Sequence, residues 1–299
     1  MRIIYLGTPD FAVPSLEILL DNGYEIPAVV TAPDKPGGRQ GLMQSAVKRA
    51  ALARHLPVLQ PEKLRDPAFI EHLKALKADL QVVVAFRMLP EWIWNMPPLG
   101  TLNLHGSLLP KYRGAAPINW AVIKGEKETG LTTFLLKHEI DTGDILFQET
   151  IAIGENETAG ELYARMMEQG ANLMLKTVKA IENGTAQPYP QKASEVTHAP
   201  KIFTETCVID FNQPLQQVHD FIRGLSPHPG AWTRLDGKVV KIFRTLKTEI
   251  PVQEGAGRWH IQERHLYIST ADYYLQLLEL QMEGKKRMEA RDFLNGYKI

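Results

Sequence analysis

The 299-residue sequence predicts an α/β domain built on a mostly parallel sheet, followed by a small C-terminal domain of short strands. Three observations predict it. Apolar strand-like runs alternate with helix-like segments through the first half, the pattern of a parallel sheet covered on both faces. Leu80 to Phe86 is nearly unbroken in its apolar character, as in a strand buried on both sides. From Cys207 onward the texture changes to short strands and turns.

Taken in order, Arg2 to Leu6 reads as a buried strand, and Gly7-Thr8-Pro9-Asp10 makes the turn after it. Pro14 opens a helix through Leu16, Ile18 and Leu19 that stops at Asn22-Gly23. Ile26 to Val30 is the next strand. Asp66 caps a helix with Pro67 at its first position, and Phe69, Ile70, Leu73 and Leu76 follow at helical spacing. Leu131 to Lys137 and Ile145 to Ile151 are strands close enough in sequence to pair antiparallel. Thr158 with Glu161 forms a capping box for a long helix whose apolar face runs from Leu162 through Met166, Leu173 and Val178 to Ile181. Asn183-Gly184 ends it.

Residues 185 to about 206 have no regular period and contain Pro188, Pro190 and Pro200, which suggests an extended linker. The expected division is therefore a catalytic domain at 1–188, a linker at 189–206 and a C-terminal domain at 207–299. In that last part a helix spans Leu215 to Leu225, and Leu235-Asp236-Gly237-Lys238 is a hairpin turn leading into Val239 to Phe243. His265 to Thr270 and Tyr274 to Leu280 add two more strands, enough for a small β-barrel or sandwich.

Composition narrows the function. The chain is 44% hydrophobic and 23% charged, with 34 basic against 34 acidic residues, so a strongly basic nucleic-acid coat is excluded while a local basic patch is not. The single cysteine, Cys207, excludes an intramolecular disulfide and a cysteine metal cluster, as suits a reducing compartment. The chain enters directly into a strand without a signal-like segment, and its apolar runs fall far short of a membrane span. A cytoplasmic protein without a membrane partner is expected.

Asn103-Leu104-His105-Gly106-Ser107-Leu108-Leu109-Pro110 carries the chemistry. Asn103 and His105 stand at i and i+2 on a strand, so both project from one face while Leu102 and Leu104 project from the other. Gly106 breaks the strand, which puts the pair at a carboxyl end, where open parallel sheets bind ligands. An imidazole and an amide there suit acyl transfer, since both can donate to a developing oxyanion. The acidic turn Asp141-Thr142-Gly143-Asp144 can bring a carboxylate to the imidazole, by a tertiary contact that spacing alone does not establish. Pro33 to Gly41, with two prolines, three glycines and two cations, reads as a mobile basic loop on the same sheet edge. A G-x-G-x-x-G fingerprint, a phosphate-binding P-loop, a G-x-S-x-G elbow and a histidine metal motif are all absent, so nicotinamide, nucleoside triphosphate, serine hydrolase and metal chemistry are not expected.

The block N-L-H-G-S-L-L-P-K-Y-R-G-A-A-P-I (Asn103 to Ile118), with D-T-G-D-I (Asp141 to Ile145), resembles the folate-dependent formyltransferases. The opening G-T-P-D-F (Gly7 to Phe11), the loop ending in Arg39 and the C-terminal strands resemble the branch of that family that acts on initiator tRNA. The resemblance covers essentially the whole chain. It implies a Rossmann-like formyltransferase domain, an OB-like C-terminal barrel that binds tRNA, and 10-formyltetrahydrofolate as co-substrate without a metal. It further implies that the formyl group passes to the amino group of initiator methionyl-tRNA, with no obligate protein partner. On this sequence the implied catalytic residues are Asn103, His105 and Asp141, and the implied folate site is Ser107, Leu108, Leu109 and Pro110, with backbone groups of the acidic loop reading the pterin. Arg39 and the cluster Lys285, Lys286 and Arg287 are the implied tRNA contacts.

Two positions depart from the family pattern. Gln40 and Gly41 follow Arg39 where relatives often carry lysines, and Arg87 stands where relatives usually have glycine, close enough to the folate site to alter it. A formyltransferase for amino-sugar nucleotides and a formyltetrahydrofolate hydrolase are the nearest alternatives. A tRNA-binding protein without catalysis is a third, from a different class.

Overall fold

The computed structural model describes residues 1–37 and 41–297. The chain divides into two compact units, and neither is one continuous stretch: the first takes residues 1–113, 130–151 and 164–198, the second 114–129, 152–163 and 199–299. Contiguous blocks were expected.

The first unit contains β1 (Ile3–Gly7), α1 (Val13–Asp21), β2 (Val29–Val30), β3 (Lys35–Pro36), β4 (Leu42–Met43), α2 (Ala46–Ala53), β5 (Val58–Leu59), α3 (Pro67–Ala75), β6 (Leu80–Val84), α4 (Glu91–Trp94) and β7 (Thr101–His105). After β8 (Arg113–Gly114) and α5 (Pro117–Ile123) come β9 (Glu128–Leu135), β10 (Ile145–Ala152) and α6 (Ala159–Glu182). The central sheet has the order β10-β9-β7-β6-β1-β2-β5. Its members from β5 to β7 are parallel, and β9 runs antiparallel to β7. The fold class read from the alternation is thus correct.

The β1 and β6 segments are buried at every position, which is why they carry no polar alternation. Proline opens α1 and α3 near their first positions, and the Asp66 carboxylate accepts from Ala68 N at 3.0 Å. Thr158 and Glu161 exchange hydrogen bonds as a capping box, at 2.9 and 3.2 Å.

Two elements differ from expectation. The strand expected from Ile26 pairs as β2 only at Val29 and Val30, because Pro27 lacks the N–H that a sheet position needs. The segment from Pro33, expected as a loop, is regular in part: Lys35 and Pro36 pair with Met43 and Leu42 in a short antiparallel ladder. The base of this hairpin is fixed: Lys48 Nζ donates to Asp34 at 2.6 Å and Gln60 donates to the same carboxylate at 2.8 Å. These partners hold the Asp34 carboxyl below its ordinary range, the Lys48 hydrogen bond contributing most.

Residues 185–206 lack long regular elements, as expected, but are pinned along their length. Tyr189 and Ile145 exchange main-chain hydrogen bonds, and β11 (His198–Ala199) pairs with β8.

The second unit packs α5 and α7 (Leu215–Leu225) with an antiparallel sheet of β12 (Ala231–Leu235), β13 (Lys238–Pro251), β14 (Trp259–Gln262), β15 (His265–Ser269), β16 (Tyr273–Met282) and β17 (Met288–Glu289), closed by α8 (Ala290–Gly296). The turn between β12 and β13 has Asp236 at φ 49° and Gly237 at φ 78°, as a two-residue hairpin loop requires. Register shifts within β13 bend the sheet around its core. A buried ion pair fixes α7: Arg223 Nε donates to Asp220 at 2.6 Å, and Arg223 Nη1 donates to the carbonyls of Gly154 and Glu157 at 3.2 and 2.9 Å. That is why residues 152–163 belong to this unit.

His219 lies one turn before Arg223, buried, with Nδ1 on Thr245 Oγ1 at 2.8 Å and Nε2 without a hydrogen-bond partner among the described residues. Burial pushes its pKa down from 6.5 to about 4, against the raising effect of Asp220. The folded value is the depressed one, so the neutral ring stabilises the fold above pH 6.5, and that contribution fades as pH falls toward 4. Denaturant titrations at pH 7 and pH 4 should show wild type losing up to about 3 kcal/mol more than His219→Asn over this window.

Candidate active site

Thr101, Asn103 and His105 form a polar stripe on one face of β7. Thr101 Oγ1 lies 3.1 Å from Gln81 Oε1 and donates to the Trp94 carbonyl at 2.6 Å, so the lower end of the stripe is spent on structure. Asn103 is half-buried, opposite Val83 of β6 and Phe134 of β9, and its amide has no protein partner among the described residues. His105 is buried opposite Thr132. The other face of β7 holds Leu102 and Leu104, with Gly170 of α6 packed so closely that a Cβ there would lie 2.8 Å from Leu104. Strand alternation against that helix leaves the stripe only one direction to face.

The His105 ring is held at both nitrogens. Nε2 lies 2.9 Å from the Tyr112 carbonyl, and a carbonyl can only accept, so Nε2 carries the proton. Nδ1 is thereby turned to Asp141, whose Oδ2 stands 3.8 Å away. That is a charge contact rather than a direct hydrogen bond. Both side chains are almost wholly removed from solvent, which strengthens the contact.

Asp141 arrives by way of the 136–144 loop. This loop leaves β9 beside Thr101, where Leu136 N donates to the Thr101 carbonyl at 2.8 Å, and folds over the sheet face bearing Asn103 and His105. Asp141 adopts φ 55°, in the left-handed region that non-glycine residues seldom occupy. Gly143 is required sterically, since a Cβ there would lie 1.6 Å from the Leu135 carbonyl oxygen. The acidic turn and the strand-end histidine, each ambiguous in sequence, therefore meet.

The 106–112 loop beyond His105 is held from within. Thr132 Oγ1 donates to the Ser107 carbonyl at 2.6 Å and accepts from Leu109 N at 3.1 Å, while Gln148 Nε2 donates to the Leu109 carbonyl at 2.9 Å. Ser107 Oγ donates to the Lys111 carbonyl at 2.6 Å. Leu109 and Pro110 are buried, Leu108 is half-buried, and the carbonyls of Ser107 and Leu109 each keep one lone pair. Thr132, Gln148 and Tyr112 escaped the sequence reading. The one signal for Thr132 was a buried pair of threonines, Thr132 and Thr133, between Leu131 and Phe134.

Family-model comparison matches residues 1–178 to Formyl transferase and residues 201–298 to Formyl transferase, C-terminal domain. The chain belongs to the formyl transferase family. Relatives named methionyl-tRNA formyltransferase match it from end to end. That of Parabacteroides distasonis is 52% identical and that of Bacteroides fragilis 50%, each covering 100% of this chain and 96% of the relative. Among solved structures, an N-formyltransferase from Helicobacter canadensis in complex with folinic acid and dTDP-3-aminofucose superposes with a TM-score of 0.73 at 22% identity, covering 94% of this chain and 99% of that one. The methionyl-tRNA formyltransferase of Clostridium thermocellum gives 0.59 at 16%, covering 94% of this chain and 98% of that one. These two likenesses establish the fold.

Other residues marked in the formyltransferase sequence fall elsewhere. Arg39 and Gln40 lie outside the described residues. Lys285 and Lys286 are exposed in the turn between β16 and β17. Arg287 is engaged within the unit, with Nε on Glu279 at 2.5 Å and its guanidinium 4.3 Å from the Phe243 ring centroid. No helix among the described residues is long and apolar enough to cross a membrane.

Arg87 is tied down as well. Its Nη1 donates to the Glu62 carbonyl at 3.0 Å and its Nη2 to the Pro61 carbonyl, and burial lowers its pKa. The guanidinium thus joins the loop after β5 to the loop after β6. Arg87→Met is expected to lower the melting temperature by about 2–6 °C, from loss of charge-assisted hydrogen bonds, and to leave the folate KM within about twofold. Thermal melts and initial rates check both.

Proposed function

We propose that this chain transfers the formyl group of 10-formyltetrahydrofolate to the amino group of methionyl initiator tRNA, with Asn103, His105 and Asp141 as the catalytic residues. What supports the chemistry is the fixed tautomer of His105: with Nε2–H held by the Tyr112 carbonyl, Nδ1 is the atom left to act, beside Asp141. What supports the acceptor is that relatives about half identical over their whole length bear that activity as their name.

In this reading the acceptor amine attacks the formyl carbon and the carbonyl oxygen gains charge. The Asn103 amide and Nδ1–H of the His105 imidazolium donate to that oxygen. Asp141 balances the imidazolium charge across the 3.8 Å gap. As the new C–N bond forms and the C–N bond to the donor breaks, His105 and Asp141 carry the amine proton toward the departing nitrogen. The apolar side chains of Leu108, Leu109 and Pro110 suit a flat ring system, and the spare lone pairs of the Ser107 and Leu109 carbonyls suit its N–H edge. Carbonyls of the acidic loop would read the same edge. Arg39, Lys285 and Lys286 would contact tRNA phosphate, with Arg287 less available because Glu279 already neutralises it.

Formylation of charged methionyl initiator tRNA, read by acid-gel shift, tests the reading. Wild type is expected to formylate, and His105→Ala to lose about 10²–10³-fold in rate. A folded wild type that formylates a dTDP-linked amino sugar and leaves methionyl-tRNA untouched overturns the acceptor.

A further inference from the structure

The segment that follows α6 reaches both catalytic groups. Gln191 Nε2 donates to the main-chain carbonyls of Asp141 and Gly143, each at 2.8 Å. Its Oε1 accepts from Arg113, at 2.6 Å from Nη2 and 3.2 Å from Nε. The amide is thus oriented by a cation on one side and closes around the acidic loop on the other. Six residues further on, Thr197 Oγ1 accepts from Tyr112 N at 2.8 Å, and the Thr197 carbonyl accepts from Arg113 N at 2.9 Å. Tyr112 is the residue whose carbonyl holds His105 Nε2, and it too is in the left-handed region, at φ 59°.

Both residues that set the His105–Asp141 geometry, Tyr112 and Asp141, therefore have backbones in a conformation that is unfavourable for non-glycine residues and persists only where its surroundings enforce it. One short stretch bonds the backbone of both segments. We infer that residues 189–197 are a positioning strap for the formyl-transfer site, with Gln191 the residue that places Asp141 and Thr197 the residue that places His105 through Tyr112; the inference rests on the catalytic roles proposed above.

Gln191 touches only main-chain carbonyls and Arg113 in this network, so it acts through Asp141. Its loss should appear in kcat and depend on Asp141 being present. The test compares wild type, Gln191→Leu, Asp141→Asn and the double variant in methionyl-tRNA formylation, with KM measured for the folate donor and for tRNA. Gln191→Leu is expected to lower kcat by about 10- to 100-fold with both KM values within about twofold, as a small misplacement of a catalytic group does. In the Asp141→Asn background the same change is expected to cost less than about twofold, because the group it positions is already disabled. Equal losses in both backgrounds, or a Gln191→Leu kcat within about twofold of wild type, overturn the strap. Should the leucine variant lose its cooperative melt, Gln191→Glu keeps the Arg113 contact and the volume while removing both donations, and the same expectations apply to it. A wild type that does not formylate methionyl-tRNA, or an Asp141→Asn enzyme of full activity, would instead fault the proposed function.

Discussion

The hydrogen bond from His105 Nε2 to the Tyr112 carbonyl governs the rest of the active centre. A carbonyl accepts and never donates, so this contact commits one ring nitrogen and its proton permanently. Every other feature follows from what remains. Nδ1 is the nitrogen turned to Asp141, and the 136–144 loop that carries Asp141 crosses the sheet face rather than ending at the strand tips. In many histidine sites a carboxylate fixes the tautomer. Here the main chain does so, which leaves the carboxylate 3.8 Å away as a source of charge.

The same economy runs through the neighbouring loop. Thr132 and Gln148, on β9 and β10, bond the backbone of Ser107 and Leu109, so the stretch with the least regular structure is held by the most regular. A loop whose polar groups are answered by the sheet behind it keeps its shape, and Leu109 adds to this by packing against Phe134 and Ile145. The second unit uses a different device, a buried Arg223–Asp220 pair whose remaining donors go to carbonyls of residues 154 and 157. Such a pair costs desolvation, and it secures one specific arrangement of chain because its partners are so narrowly defined.

Much of the fold was legible because its determinants are local. Proline at the first turn, Asp66 as a cap, Thr158 with Glu161, and Asp236-Gly237 between alternating strands each act within a few residues, and each appears where the sequence puts it. The failures have equally definite causes. Pro27 shortened a strand that its apolar neighbours suggested. Lys35 and Pro36, in a proline- and glycine-rich stretch, pair with Met43 and Leu42 next to Asp34, which Lys48 and Gln60, distant in sequence, clamp.

What the sequence by itself determined was the alternation of elements, the one face shared by Asn103 and His105, and the kinship of the 103–118 block, since strand period and motif are properties of neighbouring residues. What only the tertiary structure decided was which nitrogen of His105 faces Asp141, where Asp141 stands, that Arg87 ties two loops together, and that residues 189–197 bond the segments carrying Tyr112 and Asp141. Those depend on contacts such as Gln191 with Asp141 or Thr197 with Tyr112, between residues far apart along the chain. No pattern of spacing encodes such contacts, because the free energy that selects them comes from the packing of the whole sheet and not from any local preference.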